Sequence, residues 1–91
     1  MSAIEIRRLH ALQPLQVRAA VDQLAAHLAQ RYGVHHHWQG DVLHVARPGV
    51  SGTVDVAGPE LRIHLRLGLL AAALKPLIEQ EIERRLDAWI V

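Results

Sequence analysis

The chain has no cysteine, no phenylalanine, one tyrosine and two tryptophans among its 91 residues. Without cysteine there is no disulfide framework and no thiolate to act as nucleophile or metal ligand. With so few aromatics, the core must be built from Leu, Val, Ile and Ala, and the stacking platforms that hold single-stranded bases are missing. There is also no excess of one charge. Ten Lys and Arg face nine Asp and Glu, for a net charge of +1, so no strong field steers the protein to nucleic acid or anionic membranes. The longest apolar run, Leu67 to Leu74, is far short of the ~20 residues a membrane span requires. The amino terminus lacks the basic segment and long apolar stretch of a signal peptide. These absences leave a cytoplasmic protein as the expectation, with neither a nucleic-acid partner nor a transmembrane segment.

What is present is a high apolar fraction, 51%, and clear periodicity. A chain of this length buries only roughly 60–65% of its unfolded surface, so the core must be compact. One domain over residues 1–91 is expected. Ala3 to Arg8 alternates Ile4 and Ile6 with Glu5 and Arg7, the pattern of a half-buried strand. Pro14 suits the first turn of a helix, where its missing N–H has no partner to lose. Val17, Ala20, Val21, Leu24, Leu28 and Tyr32 then fall on one helical face, and Gly33 follows as a C-terminal cap. Val34 to Trp38 and Val42 to Arg47 read as two strands joined by a tight Gln39-Gly40-Asp41 turn. Val50 to Ala57 alternates again, and Gly58-Pro59-Glu60 makes another turn.

Leu61 to Leu67 is a strict alternation, with Leu61, Ile63, Leu65 and Leu67 on one face and Arg62, His64 and Arg66 on the other. It passes through Gly68 into a helical pattern. There Leu70, Leu74, Leu77, Ile78, Ile82, Leu86, Trp89 and Ile90 form an apolar stripe, and the polar face carries Glu79, Glu81, Glu83 and Asp87. Pro76 lies inside this pattern, so a kink or break is expected there, with residues 69–75 forming a separate turn or short helix and Pro76 starting the main one. The order β-α-β-β-β-β-α predicts an α+β, two-layer sandwich: a five-stranded antiparallel sheet with both helices on one face. The other face carries Glu5, Arg7, His44, Asp55, Arg62, His64 and Arg66 and is polar.

Seven histidines invite a metal reading, above all His35-His36-His37. Strand geometry divides them. His36 belongs with Val34, Trp38, Leu43 and Val45 on the inner face, as a hydrogen-bonded or rim residue, while His35 and His37 point outward, where His44 can lie opposite one of them. His35, His37 and His44 are thus candidates for an adventitious site only; no resident metal or other cofactor is expected. Ser51, in Gly49-Val50-Ser51-Gly52-Thr53, misses the G-x-S-x-G nucleophile pattern by one residue and opens a strand, so it reads as a turn serine. Asp55 with His44 or His64 is a candidate polar pair. Arg7, Arg62, Arg66 and Arg47 are candidates for a basic stripe. No catalytic constellation emerges. The apolar segment Leu69 to Leu74 is a candidate contact site, and Trp38, Leu69, Leu70 and Leu74 are its candidate residues or those of a shallow groove.

Several short patterns occur together: Ile4-x-Ile6 and His10 before the first helix; Arg31-Tyr32-Gly33 at its end; Trp38-x-Gly40-Asp41-x-Leu43; Gly49-Val50-Ser51-Gly52-Thr53; Leu67-Gly68-x-Leu70; and Ile78-Glu79-x-Glu81-Ile82-x-x-x-Leu86. Together they resemble a small bacterial family of polyhydroxyalkanoic acid system, or granule-region, proteins. The resemblance implies a non-enzymatic accessory or binding role near polyester storage granules, with the granule or a granule-associated protein as partner and no catalytic residues to carry over. A more distant likeness is to helix-grip domains, of which this would be a reduced form. Two alternatives stand beside that reading: a small carrier of a hydrophobic acyl-type ligand held between Trp38, Val54, Ile63 and Leu74, and an uncharacterised small enzyme using His44, Ser51 or His64. A half-covered sheet also suits a homodimer.

Overall fold

A computed structural model describes residues 2–89. The expected order is observed: strand β1 (Ser2–Leu9), helix α1 (Pro14–Tyr32), strands β2 (His35–Gln39), β3 (Val42–Arg47), β4 (Val50–Asp55) and β5 (Glu60–Leu67), and helix α2 (Lys75–Trp89). The strands form one antiparallel sheet in the order β1-β5-β4-β3-β2. Four consecutive strands make a meander, and β1 closes the far side by pairing with β5.

Local chemistry sets the helix ends. Pro14 opens α1, and Gln16 Oε1 accepts from the Gln13 N–H, which lies just outside the first turn. Gly33 ends it at φ 72°, its N–H donating to the Ala29 carbonyl. Arg47 reaches the same end and donates to the Tyr32 carbonyl at 2.6 Å, placing a cation on the negative pole of the helix. Arg47 thus points to the helix side. It lies opposite Val50 on β4 and is not part of an outer basic stripe.

Both helices cover one face. Val17, Val21, Leu24, Ala25 and Leu28 of α1 and Ile78, Ile82 and Leu86 of α2 pack on Ile4, Ile6, Leu43, Val45, Val54, Ile63, Leu65 and Leu67. Burying each large aliphatic side chain is worth ~1.5–3 kcal/mol. Two interior spaces among the described residues are about 10 and 20 Å³, roughly room for one water each. An acyl chain held between Val54 and Ile63 has no volume to occupy.

The break at Pro76 takes a definite form. A short 3₁₀ turn, Ala72–Leu74, precedes α2, and Pro76 is the helix's second residue, where its missing N–H is harmless. The stripe expected across this region is narrower than the sequence implies. Ile78, Ile82 and Leu86 are buried, but Leu70 is 97% and Leu77 54% exposed. Ile90, expected to continue the stripe, lies outside the described residues. Glu81, expected on the polar face, is only 4% exposed.

Candidate functional site

The strand registers set the outer face as a grid of three rows. One runs Ala3, Arg66, Ser51, Ala46, His35; the next Glu5, His64, Thr53, His44, His37; the third Arg7, Arg62, Asp55, Val42, Gln39. His44 lies opposite one of the two outward histidines, as strand geometry allows. His37 and His44 are register partners with stacked rings, centroids 5.2 Å apart and planes 14° from parallel. His35 lies in the neighbouring row opposite Ala46, so the trio is not brought together. Among the described residues no three His, Asp or Glu side chains are grouped to hold a metal ion. His36 lies on the inner side opposite Val45 and is exposed, as a rim residue with no side-chain hydrogen bond among the described residues.

The remaining polar candidates also separate. His64 Nδ1 lies 3.1 Å from Glu5, not from Asp55. Asp55 Oδ1 accepts from the Ala57 N–H at 2.9 Å, which shapes the β4–β5 turn. Ser51 is exposed between Arg66 and Ala46, a row away from His44 and His64. Arg7 lies opposite Arg62, whose guanidinium is bound by Glu60 at 2.8 Å, while Arg66 is two rows away.

Trp38 faces inward as expected but serves as a clamp. Its Nε1–H donates to Asp22 Oδ1 at 2.6 Å, and the Arg18 guanidinium lies 4.0 Å from its ring centroid. Arg18 also donates to the Gly40 carbonyl at 3.0 Å. These bonds fasten α1 to the β2–β3 hairpin, whereas Leu69 and Leu70 follow the end of β5.

Those residues form the connection between β5 and α2. Gly68 N–H donates to the Gly49 carbonyl at 2.7 Å, and the Gly68 carbonyl accepts from Ala71 N–H at 3.1 Å and from Ala72 N–H at 2.9 Å. A bond from residue i+3 back to residue i closes a β-turn, and its two central side chains project outward. Here these are Leu69, 85% exposed, and Leu70, 97% exposed. Ala71, at 5%, is drawn into the core, where its Cβ lies 3.7 Å from where a Cβ on Gly49 would stand. Leu74 packs partly against the core. The segment therefore divides: Ala71 and Leu74 anchor it, and Leu69 and Leu70 are held outward on a hydrogen-bonded turn. Leu77 follows in the first turn of α2, beside an open groove lined by Arg31, Tyr32, Gln80 and Arg84.

One buried carboxylate, with its partly exposed arginine partners, was missed by sequence reasoning. Glu81 lies between the helices and is bonded by Arg84, with Arg85 3.5 Å away. The Arg84 guanidinium, opposed by burial and assisted by Arg85, holds the Glu81 carboxyl below the usual carboxylate range. Arg85 in turn approaches His27 Nδ1 of α1 at 3.3 Å. The signal was present as spacings of three and four residues from Glu81 to two arginines. A second clamp joins Arg8 of β1 to Asp87 at 2.9 Å and to Glu83 at 3.5 Å on α2.

Among the described residues, no helix is long and apolar enough to cross a membrane. Comparison with known proteins gives one family. Residues 4–90 match the family described as putative polyhydroxyalkanoic acid system protein. No curated protein and no solved structure shows a significant match. The chain belongs to the polyhydroxyalkanoic acid system family.

Proposed function

With that membership as premise, we propose that the protein is a cytoplasmic, non-enzymatic accessory factor that docks on the polyhydroxyalkanoate granule through the Leu69–Leu70 turn. The observation that carries this reading is the exposure of those two leucines, 85% and 97%, on a turn tied to Gly49 and Gly68 by hydrogen bonds. A pre-ordered apolar corner pays little conformational entropy on contact. Burying two leucines on a polyester surface yields roughly 3–6 kcal/mol gross, enough for reversible attachment but not for permanent anchoring. The packed interior favours surface contact over an enclosed ligand, because its spaces of about 10 and 20 Å³ exclude an acyl chain.

The test is co-sedimentation with purified polyhydroxyalkanoate particles, comparing wild type with Leu69→Ser/Leu70→Ser. The variant should keep its circular dichroism and melting temperature and bind about a hundredfold more weakly or worse. Equal binding by the two proteins would refute the reading. Binding only to particles that retain their natural protein coat would move the contact from the polymer to a granule protein.

A further inference from the structure

The far side of β1 is an open edge. Among the described residues β1 pairs only with β5, and its register runs from Ser2 to Leu9 without a bulge. No proline interrupts it. Its eight residues give an unpaired backbone edge roughly 27 Å long. Edges of this length are normally shortened, bulged, covered, broken by proline or guarded by charge, because they pair readily with another strand; of these devices β1 carries only charge, in Glu5, Arg7 and Arg8. The opposite edge, β2, has only five residues and ends in a tight turn.

The charges on β1 are asymmetric in a useful way. Glu5 and Arg7 are exposed neighbours on its outer face. Arg7 makes no ion pair among the described residues and lies directly opposite Arg62, an unfavourable like-charge arrangement. Glu5 reaches only the exposed His64.

We propose that β1 pairs antiparallel with β1 of a second copy, about a two-fold axis through Ile6, to make one continuous ten-stranded sheet. Directly opposed residues of an antiparallel pair share a face, so the axis must pass through a residue position. Centred on Ile6, the pairing sets Glu5 of each copy opposite Arg7 of the other, giving two symmetric ion pairs. Centred on Glu5 or on Arg7, it sets like charges against each other. Centred on Ile4 or Arg8, it shortens the overlap and leaves the charges unpaired. On the inner face each Arg8 stays bound to its own Glu83 and Asp87, so the helices need not rearrange. This isologous contact fits a second copy of this chain because the strand is complementary to itself.

Charge reversal tests it. Wild type should show twice the 10.1 kDa chain mass by light scattering. Glu5→Arg alone and Arg7→Glu alone should each dissociate about tenfold more readily or worse, since each opposes like charges twice. The double variant should dimerise again, and an equimolar mixture of the two single variants should form a heterodimer. Both positions are exposed, so circular dichroism should be unchanged. Hydrogen exchange on wild type is independent of any variant: alternate amides of β1 should slow as concentration rises. A monomeric wild type, a dimer indifferent to both single reversals, or β1 amides insensitive to concentration would overturn the proposal.

Discussion

Replacing Gly52 with alanine should destabilise the protein, although alanine is ordinarily the better strand residue. Gly52 lies on the inner face between Val45 and Leu65. A Cβ built there would stand 2.3 Å from the His64 carbonyl oxygen, 2.4 Å from Leu65 Cδ2 and 2.9 Å from Leu65 Cα. Two of these atoms are backbone and cannot swing aside, and Leu65 is 3% exposed and enclosed by the core. The β4–β5 pair must therefore separate locally. Overpacking of this kind costs ~1–3 kcal/mol. Reduced freedom of the unfolded chain returns ~0.4–1 kcal/mol, leaving a net loss of roughly 1–2 kcal/mol. For a domain of this size that lowers the melting temperature by about 5–15 °C. Thermal and urea unfolding, with an unchanged urea slope, would measure it. A Gly52→Ala protein as stable as wild type would refute the argument. The result also bears on the Gly49-Val50-Ser51-Gly52-Thr53 pattern: close strand packing accounts for the glycine at position 52.

Two further outcomes are expected. Glu81→Gln should cost roughly 1–3 kcal/mol at neutral pH by weakening the bonds to Arg84 and Arg85. Because the folded pKa of Glu81 is lowered, its stabilisation is full above the unfolded carboxylate value and is lost as pH falls through the folded one; the gap between wild type and variant should therefore narrow in acid, and a gap constant with pH would contradict the assignment. Pairing along β1 runs the two copies antiparallel, so their Leu69–Leu70 turns lie at opposite ends of the sheet; wild type should then cross-link polyester particles and raise turbidity, whereas Glu5→Arg should bind without clustering, and equal clustering by both would separate the turn from the dimer.

The fold was legible because its signals are local. Alternation marked Leu61 to Leu67, Pro14 and Gly33 bracketed α1, and Pro76 located the start of α2. The pairing of His37 with His44 was left open because Gln39 was read as part of the turn; the observed two-residue Gly40-Asp41 turn sets Gln39 opposite Val42 and fixes the rest. Arg47 was harder: its side is set by a neighbouring strand, and its long side chain makes burial ambiguous in a sequence. Leu70 was placed on the apolar stripe, as well as among the contact candidates, because a helical phase was carried back through residues 69–75. The hydrogen-bonded turn at Gly68–Ala71 resets that phase and leaves Leu70 outside it; Leu77 lies within α2, but one residue before Ile78 it is turned about 100° from the buried row of Ile78, Ile82 and Leu86. Glu81 failed for a related reason. Periodicity shows that a helix has an apolar face, but not which flank of that face will meet α1, and on that flank a carboxylate with two arginines is tolerated in burial. The candidate site was therefore only half readable. Its segment stands out as apolar, yet residue type alone cannot distinguish a leucine pointing inward, such as Leu65, from one held outward, such as Leu70. That distinction lies in three backbone hydrogen bonds at Gly68, one donated by its N–H and two accepted by its carbonyl, and the proposed function depends on it.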